Sequence, residues 1–278
     1  MDKKTASRQK KWNWLKNLVS VAICFFFAVP FYIIISLSLK ARVDRSSHWI
    51  FPARPQLQSY LYAFGKGHLG LTIWNTLVIT VISELIILFV GSVASYPLAR
   101  HKSRLNKMIL AIFVGVMIVP PLTVLVPIYK EMVALHGINT YWGIILLTAT
   151  YRLPWSVFMF SNFISTIPKE LDEAALMDGC SQFAIFPRII LPNMMPVVSS
   201  VIILTGVNVW NDYSMQLYIL QKPSLRTITL SMQSFFVEGR ANMPAAAAAA
   251  VMAVLPLVIL YLFFQKYFIK GTMDSAVK

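Results

Sequence analysis

Covalent chemistry has little to work with in this sequence. His48, His68, His101 and His136 fall in four separate connections, at no metal-ligand spacing. There is no Gly-x-x-x-x-Gly-Lys-Ser/Thr loop to cradle nucleotide phosphates, no Gly-x-Ser-x-Gly elbow and no Cys/His pair. Cys24 falls in an apolar run and Cys180 in a polar interval, so no disulfide is expected. What the chain does offer is charge and hydrogen-bonding capacity inside apolar runs. Glu84 and Arg152 are the only charges in theirs, each near the middle. A charge at the centre of a spanning helix costs about 2.5–3.5 kcal/mol on insertion scales, so each must face protein or water. They either pair with each other, holding two helices together, or line a solute path. Tyr151, Trp155, Asn208, Trp210 and Asn211 are the other path candidates, because aromatic rings stack on C–H surfaces and amides bond hydroxyl groups. Each also has a structural reading, as an interfacial anchor or a helix-joining amide.

A second cluster lies between two apolar runs, over Pro168–Pro192. Pro168 suits the first turn of a helix, and Glu170, Asp172 and Glu173 place negative charge where the helix dipole favours it. Gly179 can take the left-handed conformation that closes a helix, Ser181 can cap the next, and Pro192 separates it from the following run. At helical spacing Leu171, Ala174, Ala175 and Asp178 share one face with small side chains at its centre. Such a helix either lies at the membrane surface or seats in a groove on a partner.

The elements that must position these groups follow from composition. Of 278 residues, 57% are hydrophobic and only 13% charged, with mean hydropathy +0.65, far from a soluble domain. Six runs are long enough to cross a bilayer: Leu18–Leu39, Leu69–Ala99, Met108–Tyr129, Ile138–Phe163, Asn193–Asn211 and Pro244–Phe264. Backbone groups in lipid must be satisfied internally, so each is expected to be a helix and the protein all-α. The expected division is a tail over 1–17, a first helix over 18–39, a five-helix bundle over 69–264 with a loop at 165–192, and a tail over 265–278.

An even number of spans puts both termini on one side. Lys3, Lys4, Arg8, Lys10, Lys11 and Lys16, the Arg100–Lys107 cluster, Lys169, Arg188, Lys266, Lys270 and Lys278 outnumber the basic residues on the other side. The positive-inside bias therefore makes both termini and the 168–192 interval cytoplasmic. The net charge of +14 then lies largely beside membrane ends, where it orients spans and meets anionic lipid, and no soluble domain remains to form a nucleic-acid-binding face. The first apolar run is too long for a signal-peptide core and no small-residue cleavage site follows it. Pro120, Pro121, Pro127, Pro154 and Pro256 are expected to bend spans, and Ala245–Ala250 to permit close helix packing.

Glu173-Ala174-Ala175, three residues, Gly179, nine residues, then Ile189, one residue, Leu191-Pro192 resembles the EAA motif of permeases in bacterial ABC import systems, with every fixed position met. Asn75-Thr76, Ala94–Arg100, Pro120-Pro121, Pro127–Tyr129, Asn139-Thr140, Leu153-Pro154, Trp210-Asn211 and the ending from Gly271 look like carbohydrate importer permeases of the smaller, MalG-like type. Ser275 departs from the glycine expected near the end. The resemblance implies a type I ABC importer permease in the bacterial inner membrane, moving a carbohydrate, in particular an oligosaccharide, by alternating access. It further implies a second permease subunit, two ABC ATPase subunits that hold the ATP and Mg, and an extracytoplasmic sugar-binding protein. Arg188 and Asp178 join the motif residues as the expected ATPase-coupling set. The loops Ala41–His68 and Tyr213–Met243 are either connectors or receptor contacts. A polyol or glycerol phosphate is the alternative solute, and a stand-alone proton-coupled carrier using Glu84 the alternative class.

Overall fold

The computed structural model describes residues 3–65, 67–238 and 242–276. Lys66, Arg240 and Lys278, counted in the charge distribution, lie outside the described residues. All regular structure among the described residues is helical: α1 Lys3–Ser38, α2 Gln58–Gly65, α3 Leu69–Arg100, α4 Arg104–Ile118, a 3₁₀ turn at Pro121–Val124, and α5 Leu125–Ala134. After these come α6 Tyr141–Thr166, α7 Glu170–Met177, α8 Gln182–Ile185, a π turn at Phe186–Ile190, α9 Leu191–Asn193, and α10 Met195–Trp210. The chain ends with α11 Ser214–Ile219, a second 3₁₀ turn, α12 Ile228–Glu238 and α13 Met243–Ala276.

Among the described residues, four helices are long and apolar enough to span on their own: Trp12–Ser38, Leu69–Arg100, Tyr141–Thr166 and Met243–Lys266. Of the other two expected spans, Met108–Tyr129 is broken within, and Asn193–Asn211 falls almost wholly on α10, whose 16 residues are short for a span alone. Arg104–Ile118 and Pro121–Ala134 meet at 93°, and Gln182–Asn193 and Met195–Trp210 at 72°, so six spans result when each bent pair counts as one. Proline explains both breaks. Pro120 and Pro121 interrupt the first pair, where they supply no N–H and bias the preceding residue away from helix. Pro192 and Pro196 flank Met194, where the second pair turns. Pro30, Pro97, Pro154 and Pro256 by contrast remain inside continuous helices.

Two compact units divide the chain, Met1–His68 with Ser234–Met252 and Leu69–Gln233 with Ala253–Lys278. In the first, the loop after α1 folds back on that helix. Lys40 is 1% exposed, and its ammonium donates to the Ser46 hydroxyl at 2.6 Å and to the Ser47 carbonyl at 2.8 Å. A buried ammonium is tolerable because those acceptors replace its water. Ala245–Ala249 are buried all round the helix, as small side chains permit.

In the second unit α3 packs along α6, with α10 against both. Where α6 begins, Thr140 caps it by accepting the Gly143 N–H at 3.1 Å. A side chain at Gly143 would come within 2.2 Å of the Gly137 carbonyl oxygen, so glycine is required there. Asn75 ties the segment after α11 to this bundle, donating to the Ser224 and Arg226 carbonyls at 2.9 Å and accepting from the Tyr141 hydroxyl at 2.6 Å. Thr76 accepts the Ile228 N–H at 2.8 Å, and Asn139 accepts those of Gln221 and Lys222 at 2.7 Å.

Candidate functional site: a two-armed elbow and a cavity between spans

The 168–192 interval forms an elbow of two short arms. Helix α7 ends where expected: Gly179 has φ +82, the Cys180 N–H donates to the Ala175 carbonyl at 2.9 Å, and the Gly179 N–H to that of Leu176 at 3.1 Å. This is the paired-bond closure in which glycine takes the left-handed position. Ser181 precedes α8 in extended conformation but makes no capping bond with its side chain. The second arm contains a π turn because Pro187 has no N–H to give, and the Leu191 N–H reaches back to the Phe186 carbonyl.

The small-residue face divides in two. Ala175 is 5% exposed and sits in one apolar core with Ile167, Ile185 and Ile190, while Leu171, Ala174 and Asp178 are exposed. The expectation that Ala175 lies on a common outer face with them is therefore corrected. Ala175 shares its stripe with Asp172, three residues earlier, and Asp172 is pulled inward by an arginine. The outer surface carries Glu173, Ala174, Gly179 and Arg188, together with Met177 at 88% and Phe183 at 95% exposure. Ile189 and Leu191 are half-buried and Pro192 is exposed.

That arginine is Arg100, the last residue of α3. Its Nε and Nη2 donate to the two carboxylate oxygens of Asp172, both at 2.9 Å. Its Nη1 donates to the carbonyls of Ile164 at 3.2 Å and Ile167 at 2.8 Å, at the end of α6. The Tyr96 hydroxyl adds a bond to Asp172 at 3.0 Å. The side chains of Arg100 and Asp172 are 7% and 14% exposed, so this fork is shielded from water, where charge-assisted bonds are strongest. Acidic first-turn residues gave the sequence signal for Asp172, but nothing in the spacing marked which of the three would be bound.

The second candidate is a cavity of about 270 Å³ lined by Val116, Met117, Pro121, Tyr151, Arg152, Pro154, Trp155, Thr205 and Asn208. Four of the expected path residues, Tyr151, Arg152, Trp155 and Asn208, meet here. The Arg152 guanidinium lies 5.8 Å from the centre of the Tyr151 ring, and the Tyr151 hydroxyl donates to the Val119 carbonyl at 3.2 Å. Asn208 donates to the Leu204 carbonyl at 2.7 Å. Trp210 and Asn211 are not on this wall. Trp210 is 3% exposed and donates to the Ala253 carbonyl at 3.1 Å, the helix-joining role; Asn211 bonds the Val207 carbonyl.

Glu84 and Arg152 form no ion pair. Glu84 is 8% exposed and receives the Thr205 hydroxyl, which lies 2.6 and 2.7 Å from its two oxygens. Arg152 faces the cavity instead, and the carboxylate that feels its charge is Asp212, beyond the end of α10. Burial raises the Asp212 pKa above the ordinary carboxylate value, opposed by the Met215 N–H and by Arg152. Thr205 also lines the cavity, three positions before Asn208 on one helical face, a placement that only this spacing signals in the sequence. No group of three or more metal-ligating side chains occurs among the described residues.

Bent and continuous apolar helices, a protruding polar elbow and a cavity between spans define a multi-pass membrane transport subunit. Residues 87–273 match the family described as binding-protein-dependent transport system inner membrane component, and the chain belongs to it: it is an inner-membrane ABC importer permease. Among similar proteins is the melibiose/raffinose/stachyose import permease protein MelC of Bacillus subtilis, 42% identical over 98% of this chain and 99% of that one. Another is the probable starch degradation products transport system permease protein AmyC of Thermoanaerobacterium thermosulfurigenes, 31% identical over 96% and 97%. In fold, the chain resembles one from a crystal structure of a bacterial ABC transporter involved in the import of the acidic polysaccharide alginate. There the TM-score is 0.78 at 20% identity, covering 92% of this chain and 97% of that one. Membership in this family speaks against a stand-alone proton-coupled carrier. Permeases of this kind are transport subunits rather than enzymes.

Proposed function

We propose that this chain is one of two permease subunits of an ATP-driven importer for a carbohydrate, in particular an oligosaccharide. Two ABC ATPase subunits carry the ATP and Mg, and a sugar-binding protein delivers the solute from outside. Both termini and the elbow lie in the cytoplasm. ATP-driven closure of the ATPase pair moves the elbow, and the bundle exchanges one opening for the other. On this reading Glu173 is the polar contact to the ATPase groove. Ala174, Asp178, Gly179 and Arg188 complete the contact surface, while Ala175, Ile189, Leu191 and Pro192 hold its shape from within or behind. The observation that carries the coupling assignment is the projection of Glu173, Met177 and Phe183 outward from an elbow whose other side is core.

Sugar chemistry fits the cavity. Tyr151 and Trp155 offer ring faces, and Arg152 and Asn208 offer hydrogen bonds to hydroxyls. Vesicles bearing the chain with its partner permease, ATPase and receptor, given labelled melibiose, raffinose and stachyose, are expected to take up at least one of them only when ATP is supplied inside. Trp155→Ala should raise the half-saturating concentration about ten-fold, as the loss of one good ring contact and its packing predicts. Uptake of glycerol 3-phosphate or a polyol with none of the three sugars would overturn the carbohydrate reading.

A further inference from the structure

We propose that Arg100 is the positioning residue through which movement of the elbow reaches the spanning helices; this rests on the elbow being the ATPase contact. Arg100 joins three helices with one side chain. Its own backbone ends α3, its Nε and Nη2 grip Asp172 of α7, and its Nη1 holds the Ile164 and Ile167 carbonyls at the end of α6. Ile167 caps the C-terminus of α6, so its carbonyl has no N–H partner within that helix, while the Ile164 carbonyl also accepts the Ile167 N–H at 3.1 Å. Two parallel bonds to one carboxylate fix an angle as well as a distance, which a lysine ammonium cannot do.

Tyr96, one helical turn before Arg100, strengthens the same junction twice. Its hydroxyl bonds Asp172 on the first arm, and its ring lies 5.7 Å from that of Phe186 on the second. Both arms of the elbow are therefore held on the last turn of α3. Without this junction the first arm is tied to α6 by Ile167–Lys169 and by apolar contact, and apolar contact is not directional. Asp172 also points away from the exposed surface of Glu173, Ala174 and Met177. A partner seated on that surface can move the elbow without competing for the ion pair, so docking and transmission use opposite sides of one short helix.

The test uses the assembled complex in liposomes, with Asn208→Cys placed in the cavity of a chain also carrying Cys24→Ser and Cys180→Ser. The rate at which N-ethylmaleimide labels that cysteine is read with and without ATP and vanadate, beside ATP hydrolysis. The parent complex is expected to change its labelling rate at least five-fold on trapping. Asp172→Asn and Arg100→Lys should assemble and hydrolyse ATP within two-fold of the parent, yet change labelling less than two-fold. Tyr96→Phe, which removes one hydroxyl and leaves the ring, should give an intermediate response. Equal labelling changes in parent and variants, including no change in any, would overturn the proposal, as would hydrolysis and labelling response disappearing together. Co-purification of the ATPase with Gly179→Asp separates the two readings. If the elbow does not contact the ATPase, that variant retains it; if only the Arg100 proposal is wrong, that variant still loses it.

Discussion

Gly179→Asp is expected to lower uptake by at least about 100-fold while leaving the protein folded and inserted, a loss near 3 kcal/mol in docking. The backbone at position 179 tolerates the substitution, so misfolding does not account for the loss. Gly179 has φ +82, a conformation that aspartate accepts more readily than most residues. Nothing lies within 4 Å of the place its Cβ would occupy. The new carboxylate therefore projects from the outer surface of the elbow, beside Asp178, without disturbing the closure of α7. If that surface seats in a complementary groove, an unpaired charge enters the interface and costs several kcal/mol. Membrane abundance and trypsin resistance should match the parent, and ATPase co-purification should be lost. Normal uptake would remove Gly179 from the contact surface.

Ala175→Arg should fail differently. Ala175 is buried against Ile167, Ile185 and Ile190, so an arginine there must either bury an unpaired charge or tear the elbow from the bundle. Breaking packing in this way costs about 3–5 kcal/mol, enough to unfold the elbow. The expected signature is a reduced amount of inserted protein and faster tryptic cleavage at Lys169 and Arg188, with uptake lost in proportion. Two alanines side by side in one motif thus serve different ends: Ala174 keeps the outer surface low, and Ala175 lets α7 approach the core. An Ala175→Arg protein as abundant and trypsin-resistant as the parent would contradict this division.

The placement of these groups was partly legible in the sequence. Apolar run length located the spanning helices, and Pro168, Gly179 and the first-turn acids located α7, because those signals are local and belong to the residues themselves. The bends were less legible: Pro120-Pro121 marked a break, but whether a proline kinks, breaks or is absorbed depends on its neighbours, as Pro97 and Pro154 inside continuous helices demonstrate. Pairing of groups distant in the chain was least legible. Glu84 and Arg152 are the two charges that cost suggests should meet, yet Glu84 takes Thr205 and Arg152 turns to the cavity. Arg100 and Asp172, by contrast, look like an ordinary span-end cation and an ordinary helix-dipole acid until the end of α3 is set beside the start of α7. Periodicity fixes which face of a helix a residue occupies, not which helix faces it.

The most direct test of the coupling account is the side and neighbour of Glu173. In a chain with Cys24→Ser, Cys180→Ser and Glu173→Cys, a maleimide–benzophenone reagent attached to that cysteine should join this chain to the ATPase subunit on irradiation of the assembled complex, and a membrane-impermeant maleimide should label it only in inside-out vesicles. Labelling from the outer face of intact cells, with no cross-link to the ATPase, would contradict the account.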